Sequence, residues 1–149
     1  MKRHLKLAAI VALSFAATHA MARNSIESYS IASALDAGTG EGKVDDGIKL
    51  YFAGQPHPTV LKTLGEAATN KKTNAFGRSD EAACQHVFLS AVIALQKRAH
   101  EMGGNAVVNI KSNYKDQLTE SPTEFVCGAG GLIAGVALKG DIVTLKEKK

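Results

Sequence analysis

Any chemistry in this 149-residue chain has to start from its glycine runs, its histidines and its two cysteines. Ala37–Val44 reads AGTGEGKV, close to a phosphate-binding loop. That loop needs G-x-x-x-x-G-K-[ST], in which backbone N–H groups hold phosphate and the last hydroxyl holds magnesium. Here Ala37 stands at the first glycine position and Val44 at the hydroxyl position. A loop of this kind must also lead into a helix whose N-terminus faces the phosphate. Instead the run leads into DDGIKLYF, two carboxylates and a strand pattern. No nucleotide is expected, and the run reads as a flexible turn. The second run matches a dinucleotide fingerprint only at Gly128 and Gly130, because Ile133 occupies the third glycine position. Small residues there suit close backbone packing, a bulge or a subunit contact.

Metal ligation fares little better. Cys84 and His86 are two apart on a helical pattern and point to different faces. His86 and His100 share a face but lie roughly 21 Å apart by helix rise. His57, between Pro56 and Pro58, is the remaining weak candidate ligand, without identifiable partners. No nucleophile-elbow sequence G-x-S-x-G occurs, and a cysteine nucleophile would need a reduced, activated thiolate. No catalytic residue and no cofactor is expected, so the chain reads as non-enzymatic. With no Trp, a stacking platform for single-stranded nucleic acid is not expected either.

The elements that would position these residues show in the hydrophobic pattern. Cys84, Val87, Phe88, Ala91, Val92, Leu95, Ala99 and Met102 recur at three- and four-residue steps. That stripe predicts one long amphipathic helix from Asp80 to Met102. Ser79 or Asp80 can cap its start, and Gly103-Gly104 can end it. Ile48–Phe52 alternates as a half-buried strand, stopped by GQPHP. VLKTLGEAAT predicts a short strand, and NKKTNAFGRSD a polar loop. NAVVNIKSNY, TEFVCG and GVALKGDIVTL predict three more strands, with a tight apolar GAGGLIAG between the last two. This order predicts an α+β fold: a mostly antiparallel sheet with one long amphipathic helix packed on one face.

The N-terminus sets the compartment. Lys2, Arg3 and Lys6 precede the uncharged run Leu7–Ala17, and Ala20-Met21-Ala22 offers small residues for cleavage. Residues 1–22 therefore predict a signal peptide cleaved after Ala22, and a soluble periplasmic protein. The run falls short of the roughly 20 residues that span a bilayer, and no cysteine stands near the cleavage site for lipid attachment. No membrane anchor is expected in the mature form.

Removing the leader's three cations takes the net charge from +4 to +1. A near-neutral domain has no strong long-range field for nucleic acid, and Lys146–Lys149 reads as a solvated basic tail. An even cysteine count in an oxidising compartment favours a disulfide between Cys84 and Cys127. Two separate buried thiols are the alternative. Closing the 43-residue separation would stabilise the fold by roughly 4 kcal/mol.

KRAHEMGGNAVVNIKS, with IKLYF and TLGE (Thr63–Glu66) upstream and VCGAGGLIAGVAL downstream, resembles the YbjQ-like family of small α+β domains, the RcsF-like envelope domains included. The likeness runs from about Ile48 to Leu145. It implies a compact domain without catalytic residues that works through protein contacts, with an envelope protein as partner. YbjQ-like relatives are also linked with homo-oligomers and a heavy-metal-binding label. RcsF-like domains carry a lipid anchor and two disulfides. This chain lacks the anchoring cysteine, and Ser112 falls about where one disulfide partner would be, so the Cys84–Cys127 bridge stands on the placement of Cys84 on the apolar helix face and Cys127 within a strand, not on the resemblance.

The chain thus divides into the leader, a loosely ordered lead-in (23–47) that begins with a possible strand, SIESYSIASAL, the α+β domain (48–145) and the tail (146–149). The expected function is an exported binding or sensing module of the cell envelope, the alternative being a periplasmic metal-binding protein.

Overall fold

The computed structural model describes residues 24–40 and 43–147. The expected signal peptide lies outside the described residues, as do the last two lysines of the tail. In chain order the elements are β1 (Asn24–Ser30), α1 (Ile31–Gly40), β2 (Lys49–Phe52), β3 (Val60–Asn74), α2 (Asp80–Glu101), β4 (Ala106–Tyr114), β5 (Gln117–Thr119), β6 (Glu124–Gly130) and β7 (Ile133–Leu145). The strands form one seven-stranded sheet in the order β1-β6-β7-β4-β2, with β3 on β7 and β5 on β4. Every pairing is antiparallel except β2 with β4. The fold is α+β, as expected from the sequence.

The helix α2 forms where its signals lie. The Ser79 hydroxyl accepts a hydrogen bond from the Ala82 N–H at 3.1 Å, and Asp80 and Glu81 fill the first turn where the helix dipole favours anions. At the other end Gly103 turns left-handed at φ +75°, and the N–H groups of Gly103 and Gly104 bond to the carbonyls of His100 and Ala99. This double closure is the Schellman ending. The expected stripe is buried from Cys84 to Ala99 and packs on β7, β3 and β6.

Side chains on successive strand residues point to opposite faces, so the sheet splits cleanly. Val107, Ile110, Phe125, Cys127, Val136, Leu138 and Ile142 join α2 in the main core. Ala106, Val108, Val143 and Leu145 form a smaller cluster with Tyr51 and Val60. Val143 succeeds Ile142 in the chain, so this cluster lies on the face away from α2.

Three expectations are corrected. In the segment read as a loosely ordered lead-in, the possible strand is present as β1, paired residue for residue with β6, but it ends at Ser30, and Ile31–Gly40 form the helix α1, which buries Ile31 and Ala34. The glycine run read as a flexible turn supplies the last turn of α1, because Gly38 lies against Leu89 of α2 where a Cβ would collide. The polar stretch read as a loop from Asn70 continues β3 to Asn74, paired with β7 throughout. At an exposed edge the polar side chains simply face water. One short strand, β5, carried no signal. It comes after a tight turn in which Lys115 and Asp116 both take positive φ, in place of the usual Asn-Gly.

Candidate functional site

The expected disulfide is present. Cys84 on α2 and Cys127 on β6 are bonded, with Sγ atoms 2.08 Å and Cα atoms 5.9 Å apart. Both are buried in the main core. The bridge ties the helix to the sheet, and neither sulfur is a thiolate in this state.

His57 lies in the loop between β2 and β3. That loop is fastened at several points. Gln55 Oε1 accepts from the Phe52 N–H at 2.9 Å, Gln55 Nε2 donates to the Pro122 carbonyl at 2.7 Å, and the Ala53 N–H bonds to the Ile110 carbonyl. The His57 Nδ1 lies 2.8 Å from the Pro58 carbonyl oxygen. A carbonyl only accepts, so Nδ1 is the donor in this contact. The ring packs at 5.6 Å, centroid to centroid, on Tyr51.

Tyr51 and His57 form one wall of an open cleft of about 760 Å³, which Lys49, Asn105, Leu145 and Lys146 also line. Leu145 and Tyr51 reach it from the apolar cluster on the face away from α2, and Pro56, Pro58 and Glu147 also line it. Its shape depends on Asn105, whose side chain behaves like a strand partner. Oδ1 accepts from the Leu145 N–H at 2.7 Å and Nδ2 donates to the Leu145 carbonyl at 3.0 Å. The Asn105 carbonyl then accepts from the Lys49 N–H at 3.0 Å, and the Lys146 N–H bonds to the Thr59 carbonyl at 2.9 Å. Asn105 therefore holds the end of β7 through its side chain and the start of β2 through its backbone carbonyl.

A second amide positions the same region from the opposite layer. Gln96 is buried on α2 at 3% exposure, and it makes three hydrogen bonds to the chain entering β2. Its Nε2 donates to the carbonyls of Asp45 and Ile48, and its Oε1 accepts from the Asp45 N–H.

The cleft is lined by an aromatic ring, an imidazole, the apolar Leu145, two lysines and the carboxylate of Glu147. It does not assemble a metal site. Among the described residues no group of three or more His, Cys, Asp or Glu side chains could hold an ion. His86 and His100 sit exposed on α2, far from His57 in sequence and on another element. Sequence reasoning found His57 but missed Lys49, Tyr51, Asn105 and Lys146, which come from separate segments and share no motif.

No protein-family model matches the chain, and no curated protein matches it. Among solved structures, it is similar to a protein of unknown function of the DUF74 family from Pediococcus pentosaceus ATCC 25745. The identity is 13%, the TM-score 0.46, and the match covers 68% of this chain and 100% of that one.

Proposed function

We propose that this chain is an exported, non-enzymatic binding module of the cell envelope that engages a partner protein through the cleft over Tyr51 and His57. The observation that carries the reading is the cleft itself. It is concave, with Tyr51, Pro56, Pro58 and Leu145 as apolar surface beside Lys49, His57, Lys146 and Glu147, the mixture that protein-binding sites use for anchoring and orientation. The buried disulfide supports the compartment, because such bonds persist where thiols are oxidised. The leader pattern of residues 1–22 supports it independently.

The test is affinity capture from envelope extracts with the secreted form as bait, run beside a Tyr51→Ala/His57→Ala variant. A partner held by the parent and lost by the variant supports the reading. A partner held equally by both removes the cleft from it. Turnover that depends on one mature side chain, or tight stoichiometric uptake of zinc or copper, would replace it with another function.

A further inference from the structure

We propose that the end of the sheet carrying Phe76, Leu132 and Ile133 docks reversibly on an anionic lipid bilayer. Six large hydrophobic side chains are exposed among the described residues, and these three gather at that end. Phe76 at 73% and Leu132 at 66% are the two most exposed of the six. They come from adjacent tips. Leu132 sits in the turn between β6 and β7, Ile133 opens β7, and Phe76 sits in the turn between β3 and α2. The Ala75 N–H joins the two tips by donating to the Leu132 carbonyl at 2.8 Å.

The backbone holds these side chains outward. Asn74 Oδ1 accepts from the Phe76 N–H at 2.8 Å, and the Arg78 N–H bonds to the Ala75 carbonyl at 3.2 Å. Ala75 is buried beneath the turn, while Phe76 faces away from the body. Both tips stand clear of their surroundings, because a Cβ added at Gly77 or Gly131 meets nothing within 4 Å. Single apolar residues scattered over a surface are ordinary, whereas an adjoining group marks an interaction site.

Charge selects a lipid surface as the occupant. Lys72 lines an open cleft of about 460 Å³ together with Leu132 and Ile133, and Arg78 closes the Phe76 turn. Both cations are exposed, and among the described residues neither is in an ion pair. The nearby carboxylates, Asp80 and Glu81, lie in the first turn of α2 beside Ser25 at 3.5 Å and Gln85 at 3.4 Å. The chain also enters at this end, since Asn24 pairs with Gly130. Under the leader reading, cleavage after Ala22 places Arg23 and a free α-amino group next to Asn24, two more positive charges. Cations around a small apolar tip complement a bilayer: the apolar side chains enter the interface and the cations stay level with the phosphates. A few inserted side chains hold weakly, so the contact is reversible and is not an anchor. From Ile133 at the tip, β7 runs to Leu145 in the Tyr51–His57 cleft, roughly 40 Å along the strand by its rise. A docked tip therefore leaves that cleft open to a partner.

Vesicle flotation tests this on the mature secreted form. Vesicles of phosphatidylethanolamine with phosphatidylglycerol are compared with vesicles of phosphatidylcholine alone. The parent should float with the anionic vesicles and be released as salt is raised. Phe76→Ser/Leu132→Ser should weaken that partition by at least about tenfold, and Lys72→Glu/Arg78→Glu should weaken it on the anionic vesicles. Leu61→Ser removes a side chain of similar exposure, 63%, from the opposite end of β3, and should leave binding unchanged. Because Cys84 and Cys127 are bonded, Leu132→Cys can carry an environment-sensitive fluorophore. Its emission should shift to the blue on anionic vesicles, and the same label on Leu61→Cys should not. A parent that ignores the anionic vesicles overturns the proposal. So does binding that survives Phe76→Ser/Leu132→Ser, or a label on Leu132→Cys that shifts with protein concentration and not with lipid, which would make the tip a protein contact. These readouts do not involve Tyr51 or His57, so they stand or fall apart from the cleft.

Discussion

Gln96 on α2 and Asp45 ahead of β2 hold each other by two hydrogen bonds, side-chain amide to backbone amide, at 3.1 and 2.8 Å. A third bond from Gln96 to the Ile48 carbonyl, at 3.0 Å, fixes the residue just before β2. A polar side chain inside an apolar helix face thus does for the chain at 45–48 what a neighbouring strand would do. Gln96→Leu keeps the volume and removes all three bonds, leaving the buried Ile48 carbonyl without this partner. It should cost about 1–3 kcal/mol in urea unfolding. Amide exchange at Asp45 should rise more than exchange in the centre of α2. Unchanged exchange at Asp45 would mean that the chain entering β2 is held by something else.

The bond between Cys84 and Cys127 spans 43 residues and is the covalent tie between α2 and β6. Replacing both cysteines with alanine should lower stability by about 2–5 kcal/mol, read from urea midpoints at constant slope. Dithiothreitol should destabilise the parent by a similar amount and leave the variant unaffected. A parent indifferent to reductant would show that the bridge contributes nothing to the folded state.

Gly128 on β6 lies beneath the Tyr114 ring, and a Cβ there would overlap the phenol. Tyr114 thereby covers part of the sheet face that α2 does not. Gly128→Ala should cost about 1–3 kcal/mol, the usual penalty for overpacking. In a Tyr114→Ala background the same change should cost far less. Additive costs in the double variant would show that the two residues act separately.

How far the sequence foretold this structure differs from element to element. The long helix was legible because three independent signals agreed: an apolar stripe, a serine cap and a paired glycine stop. The disulfide was legible because Cys84 fell on that stripe and Cys127 on a strand. The end of β3 was not, since Asn70, Lys71 and Lys72 look like loop residues wherever a strand edge faces water. The glycine run misled in a different way. Glycines in series suggest backbone freedom, whereas Gly38 is needed for the close approach of Leu89 within a helix. The cleft was illegible for a combinatorial reason. Lys49, Tyr51, His57, Asn105 and Lys146 meet only once β2, β4 and β7 are paired. The two amides that shape it, Asn105 and Gln96, look like ordinary surface residues in sequence.

Binding in the envelope requires a domain that is exported, trimmed and oxidised before it meets a partner. Intact-mass spectrometry of the protein isolated from its native cells, without reductant, tests this most directly. The predicted mass is that of a chain beginning at Arg23, lighter by the two hydrogens lost when Cys84 and Cys127 join. A full-length product retaining Met1–Ala22 with both cysteines free to react with an alkylating agent would contradict it.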